Sequence, residues 1–210
     1  DPANLALFYL ISRQIGNMLR MYQMSKEQRR MQQKLEALVR EVKEKNEVLN
    51  FLSESDALTG SLNRRCFMEK AVQMNRENAG KEIVILFADL DHLKEINDSF
   101  GHIEGDFAIR RCAEVLKSAV GDSGVTGRIG GDEFCAMLPG NAGDGQRIRE
   151  QVRRECDGFN SDSDKPYYVE LSIGYHVIRC GSDLVISDVL KDADEALYEE
   201  KKKRRKSVKK

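Results

Sequence analysis

Arg128-Ile129-Gly130-Gly131-Asp132-Glu133-Phe134 sets a glycine pair and two carboxylates between two short apolar runs. Val125 stands ahead of it, and Phe134-Cys135-Ala136-Met137-Leu138 continues behind it. A Gly-Gly pair between runs of strand character predicts a tight β-hairpin, because glycine takes positive φ at no steric cost. Asp132 and Glu133 then enter the second strand directly from the turn. Taken alone, they read either as solvated turn acids or as one edge of a charged site.

Upstream of the hairpin, residues 82 to 87 form a near-continuous apolar run of strand length, which predicts a buried central strand. It ends in Ala88-Asp89-Leu90-Asp91, so a carboxylate stands where a rigid strand opens to solvent. If the hairpin lies beside this strand, Asp132 and Glu133 join Asp89 at one sheet edge. Leu93-Lys94-Glu95-Ile96-Asn97-Asp98 reads as a short helical turn, Ser99-Phe100-Gly101-His102 as a loop, and Gly105-Asp106 as the start of a helix to about Val120. Downstream, residues 140 to 145 read as a glycine-rich loop and 146 to 159 as helix. A strand follows over 167 to 178 with Val169, Leu171 and Ile173 on one face. The last helix runs from Val185 to about Lys203. Towards the N-terminus, Thr59-Gly60 predicts a turn and residues 62 to 78 a helix with Phe67, Met68, Ala71 and Met74 inward. Strands interleaved with helices around a hairpin predict an α/β (α+β) sandwich, in two or three layers, on a central, mostly antiparallel sheet.

Residues 5 to 53 contain no proline and only Gly16, and favour a long helix. Met21, Met24, Met31, Leu35, Leu38, Val42, Leu49 and Leu52 follow a 3-4 spacing, weakened at Gln28 and Lys45. Phe8, Ile11, Ile15, Met18 and Tyr22 make a stripe displaced by one residue, which predicts a register shift near Met21 to Met24. The stripe fits a helix packed on its own domain or a parallel coiled coil. Its narrowness and the charged remaining faces favour the coiled coil, with 8 to 22 as the end of a preceding sensor domain. Three segments result: 1–53 as the long helix, 54–206 as the α/β domain, and 207–210 as a basic tail.

Composition excludes several classes. A chain of 210 residues can hold one domain with a full core plus an extension, and its net charge of −1 offers no general attraction to nucleic acid or membranes. No apolar run reaches the length that crosses a bilayer. Five widely spaced cysteines without a Cys-x-x-Cys pair argue against a disulfide framework and zinc, and for reduced thiols in the cytoplasm. The opening Asp1-Pro2-Ala3-Asn4 lacks a signal-peptide flank and reads as a cut from a longer protein. An all-carboxylate cluster without His or Cys suits hard cations, Mg²⁺ above all. Lys94, Lys201 and Arg205 could then meet polyphosphate, and Asn97 with Asp106 carries the acceptors and donor that read a purine edge.

Gly130-Gly131-Asp132-Glu133-Phe134 resembles the signature of the GGDEF family of diguanylate cyclases. Three further blocks resemble it in the same order: Asp56-Ala57-Leu58-Thr59-Gly60-Ser61-Leu62-Asn63-Arg64-Arg65, the segment from Asp89 through Gly101-His102 to Gly105-Asp106, and Ala193-Asp194-Glu195-Ala196-Leu197-Tyr198-Glu199-Glu200-Lys201. The resemblance implies a five-stranded sheet wrapped by helices, related to nucleotidyl-cyclase and polymerase palm domains. It implies Mg²⁺, with Mn²⁺ as an alternative, on Asp89, Asp132, Glu133 and the Leu90 carbonyl. Asp132 and Glu133 become catalytic, Glu133 also as a group that helps deprotonate the attacking hydroxyl. Asn97 and Asp106 become guanine readers, Leu93 lines the base pocket, and His102 caps the nucleotide loop. Lys94, Lys201 and Arg205 become phosphate-binding, and Gly130 and Gly131 leave room for nucleotide. The implied activity is condensation of two GTP into cyclic di-GMP in a homodimer set by the N-terminal helix, under an upstream sensor. The alternative is a silent GTP- or cyclic di-GMP-binding module. Gly121 and Gly124 stand where many relatives carry an Arg-x-x-Asp product site, so that site is missing.

Overall fold

Alternation decides the architecture. The computed structural model describes the backbone of residues 2–181 and 185–207, and the side chains of 54–181 and 185–202 throughout. In β2 (Glu82–Leu90) successive side chains point to opposite faces. Ile83 and Ile85 enter one core with Cys135, Met137, Phe67, Ala71, Val189 and Ala193. Val84, Leu86, Ala88 and Leu90 enter another with Phe134, Ala136, Leu138, Ile148 and Val152. Both faces are therefore buried, as the continuous apolar run requires. Three layers result.

The sheet contains β1 (Leu62–Asn63), β2, β3 (Val125–Arg128), β4 (Glu133–Pro139) and β5 (Leu171–Arg179). Their spatial order is β1-β3-β4-β2-β5, with β1 parallel to β3 and every other pair antiparallel. The expected mostly antiparallel five-stranded sheet is present. Helices α2 (Arg64–Glu77) and α6 (Ile186–Ser207) contribute to one core, and α4 (His102–Val120) and α5 (Ala142–Asp162) to the other. Gly127 lies within β3 because a β-carbon there would meet the Cβ of Phe67 at 2.7 Å.

Three helix starts differ from the sequence reading. Residues 62–63 pair with β3, so α2 begins at Arg64, capped by the Asn63 side chain on the Cys66 amide. α4 begins at His102, three residues before Gly105. α5 begins at Ala142, where a reciprocal Asn141–Asp144 capping box turns the glycine-rich segment into a first helical turn. Caps overrode glycine's weak helix propensity there. α3 spans Leu93–Phe100. All five thiols, Cys66, Cys112, Cys135, Cys156 and Cys180, are free and buried.

Residues 1–51 and 52–210 form two separate units. α1 (Pro2–Glu54) is one continuous helix, so the displaced stripe near Met21 to Met24 involves no break in its backbone. Met21, Met24, Met31, Leu35 and Val42 are each more than half exposed. The side chains of Phe8, Ile11, Ile15, Leu49 and Leu52 lie outside the described residues, as does the tail over 208–210. No helix among the described residues is long and apolar enough to cross a membrane.

Candidate active site

β4 pairs directly with β2, and the register sets Asp89 opposite Glu133. Cross-strand partners project from the same face about 5 Å apart, so two carboxylates meet where both strands open to solvent. Asp132 stands one residue earlier, and its carbonyl accepts from the Leu90 amide at 3.0 Å. The Leu90 side chain belongs to the core.

An ammonium closes this acidic edge. Lys201 of α6 donates to Asp89 and lies 3.0 Å from Asp91, at residue separations no local pattern encodes. Asp91 is also held by the Ser172 hydroxyl of β5 at 2.5 Å. Burial opposes the charged ammonium, yet its bonds to Asp89 and Asp91 raise the Lys201 pKa. Burial raises the Asp89 carboxyl; Lys201 pulls it back, and repulsion from Asp132 and Asp91 raises it further. Glu133 is likewise pushed up by burial, then by the charges of Asp132 and Asp89. The site holds more negative charge than its one lysine offsets.

The hairpin turn is held from below by one guanidinium. Arg128 Nη2 donates to the Gly131 carbonyl at 2.7 Å, and Nε to the Gly130 and Gly131 carbonyls at 3.2 and 3.3 Å. Nη1 reaches both oxygens of Asp56 at 3.1 and 3.3 Å. Asp56 in turn accepts from the Thr59 amide and hydroxyl, which fixes the turn after α1. Gly130 and Gly131 are not among the positive-φ residues, so the conformational reason expected for them does not apply. At Gly130 a β-carbon would meet Glu133 Oε2 at 2.3 Å, the far end of a side chain that can swing aside at small cost. Gly131 has open space around it.

The expected base readers lie at the α3–α4 corner. Asn97 is half-buried against the bare Cα of Gly105, where a β-carbon would meet its Oδ1 at 2.0 Å. Asp106 is exposed one residue further on, and neither side chain makes a hydrogen bond among the described residues. Leu93 packs on the core, while Lys94 and His102 are exposed and touch none of the acids. The Arg205 side chain, expected to bind phosphate, lies outside the described residues.

A profile of the family described as "Diguanylate cyclase, GGDEF domain" matches residues 53–207. The chain belongs to the GGDEF family of diguanylate cyclases. It is 34% identical over 177 residues to the diguanylate cyclase DgcP of Escherichia coli, covering 82% of this chain and 51% of DgcP. It therefore spans about half the length of that relative. Among solved structures, the coiled coil and GGDEF domain of DgcB from Caulobacter crescentus, in complex with c-di-GMP, superposes with a TM-score of 0.69 at 25% identity. That match covers 79% of this chain and 90% of the other. The diguanylate cyclase SiaD from Pseudomonas aeruginosa, solved with its activator SiaC, gives 0.67 at 28%, covering 96% and 82%.

The donor chemistry of this GGDEF domain fits a hard divalent cation. Asp89, Asp132 and Glu133 are all-oxygen donors; the charge of Asp132 raises the carboxyls of both Asp89 and Glu133, a repulsion that added positive charge relieves. The acids are within electrostatic reach but not converged: no group of three donor side chains among the described residues stands ready to hold a metal. Lys201 occupies Asp89 instead.

Sequence reasoning passed over Asp91, Ser172, Arg128 and Asp56. Asp91 lies two residues beyond Asp89, hence on the same side by alternation, and that signal could have found it. The Arg128–Asp56 pair joins residues 72 apart and had no local signal.

Proposed function

We propose that this chain condenses two GTP into cyclic di-GMP and two pyrophosphates. The observation that carries the reading is the pairing of Asp89 with Glu133, with Asp132 beside them and the Lys201 ammonium at the same edge. Asp89, Asp132 and Glu133, with the Leu90 carbonyl, would hold Mg²⁺ or Mn²⁺. The ion supplies charge neutralisation at the α-phosphate and the attacking hydroxyl. Glu133, its pKa pushed up, is suited to take the proton from the 3′-hydroxyl of one GTP as that oxygen attacks the α-phosphate of the other. Lys201 exchanges its carboxylate partners for phosphate oxygens, joined by Lys94 and Arg205. Asn97 and Asp106 take the guanine edge, since the Asp106 carboxylate accepts from N1–H and the 2-amino group together. Leu93 lies under the base and His102 caps the loop.

One domain binds one GTP, so the reaction needs two domains facing each other. The exposed apolar stripe of α1 supports a parallel coiled-coil homodimer that supplies the second copy at high effective concentration. In this reading a sensor domain sets the register of the helices and thereby aligns or separates the two sites. The test is incubation of the protein with GTP and Mg²⁺, scored by cyclic di-GMP formation. Wild type forms product, Asp132→Ala and Glu133→Ala lose at least about a hundredfold in rate, and a chain starting at Ser53 loses turnover at low concentration. Wild type that binds GTP but makes no product at high concentration establishes the silent binding module instead.

A further inference from the structure

The α3–α4 corner carries the base readers but has no side-chain cap on either helix. The residues that precede them, His92 before α3 and Gly101 (φ 87°) before α4, make no side-chain capping hydrogen bond. The first turn of α4 is held by the Glu104 and Gly105 amides on the Gly101 carbonyl, at 3.1 and 3.3 Å, and by what grips it from outside. Among the described residues, the only side-chain hydrogen bonds that leave residues 92–107 go to Glu104. Lys165 Nζ donates to both Glu104 oxygens at 3.0 and 2.7 Å, and the Tyr167 hydroxyl to one of them at 2.5 Å. Both donors come from the segment that leads into β5, more than 60 residues away.

That segment is itself anchored. The Asn160 side chain accepts from the Val169 amide at 2.8 Å and donates to its carbonyl at 3.0 Å. Lys165 lies over the Phe107 ring at 4.4 Å, and Tyr167 packs against Phe100 with centroids 5.4 Å apart. The grip thus touches Phe100 at the end of α3, and Glu104 and Phe107 in α4. Gly105 and Asp106 lie between the latter two. Gly105 lies against the Asn97 side chain, where a β-carbon would stand 2.0 Å from Oδ1, so the position of this turn bears on Asn97 as well as on Asp106.

We propose that Glu104, held by Lys165 and Tyr167, is a positioning residue for guanine recognition. It touches no substrate; it sets where Asp106 and Asn97 stand relative to each other and to the base. This rests on the reading of Asn97 and Asp106 as the guanine-recognising pair.

The test compares wild type, Asp106→Ala, Glu104→Ala, Glu104→Gln and the double variant Lys165→Met/Tyr167→Phe. The double variant keeps the apolar stem over Phe107 and the ring against Phe100, so its fold is retained. Three quantities are read: GTP affinity by calorimetry with Ca²⁺, the KM and kcat for GTP, and the same for ITP, which lacks the 2-amino group. Expected are about a tenfold weaker GTP affinity and higher KM, kcat within about twofold, and a narrowed preference for GTP over ITP. Glu104→Gln, which keeps an acceptor oxygen, falls between Glu104→Ala and wild type. Weakened binding by Asp106→Ala with unchanged binding and GTP/ITP preference in the clamp variants overturns the positioning role and leaves the guanine reading intact. A loss of thermal stability without any change in KM or selectivity also overturns it. Wild type that binds no GTP removes both readings.

Discussion

Replacing Arg128 by methionine removes five contacts from a side chain that is only 14% exposed. Three hold the Gly130 and Gly131 carbonyls, and two hold Asp56, which is 25% exposed. The carbonyls turn to water at small cost. The Asp56 carboxylate keeps only Thr59, so the main loss is one forked, charge-assisted pair, about 2 kcal/mol. For a domain of this size about 2 kcal/mol lowers Tm by roughly 4–8 °C. Arg128→Lys keeps the charge without the fork and restores less than half. In a double-mutant cycle with Asp56→Asn, the coupling is about 1–2 kcal/mol. Acid supplies an internal check. Burial alone would raise the Asp56 carboxyl, but hydrogen bonds from Thr59 and Arg128 hold it below its usual value. The folded state therefore binds this proton less readily than the unfolded chain. The stabilisation is present at neutral pH and is lost as pH falls through the folded pKa. The Tm gap between wild type and Arg128→Met accordingly narrows between pH 7 and about pH 3. Differential scanning fluorimetry across that range is the assay. A gap below about 1 °C at neutral pH, or one that widens in acid, refutes the reasoning.

Gly174→Ala is expected to cost about 3 kcal/mol in chemical denaturation, because its β-carbon would lie 2.1 Å from the Leu197 amide nitrogen and 2.3 Å from the Ala193 carbonyl oxygen. Both are backbone, so α6 must move, and Lys201 with it; a denaturation midpoint equal to wild type contradicts that packing. Lys201→Met is expected to tighten Mn²⁺ binding about tenfold in the absence of nucleotide, measured by electron paramagnetic resonance, since a competing cation leaves Asp89 and Asp91. The same variant binds GTP more weakly. Unchanged Mn²⁺ affinity shows that the ammonium does not compete for the acids.

Local pattern alone determined much of this protein. The apolar run over 82 to 87, the hairpin around Gly130-Gly131, and the helical periodicities each lie within a window of a dozen residues. Burial on both faces of β2 follows from that run, and so does a carboxylate at its end. Asp89 beside Asp132 and Glu133 was legible on one added assumption, that the hairpin pairs with the central strand. The assumption holds because β2 must bury both long edges and β4 has the matching apolar length. Helix starts were less legible, because Asn63 and Asn141 each spend one side chain on a cap that no hydrophobic pattern announces.

Tertiary structure alone decided the rest. The parallel pairing of β1 with β3 joins residues 65 apart. The contacts of Lys201 with Asp89, Ser172 with Asp91, Arg128 with Asp56, and Lys165 with Glu104 span 112, 81, 72 and 61 residues. Each is a short-range contact between charged or polar side chains whose partner is chosen by strand order and helix placement, not by neighbours in sequence. Gly130 makes the same point at close range. Its sequence position marks a turn, yet only the folded chain shows that the Glu133 carboxylate lies against it, with Oε2 2.3 Å from where a β-carbon would stand. Chemical type and local geometry are written in the order of the residues; which charge meets which is settled only when the sheet closes.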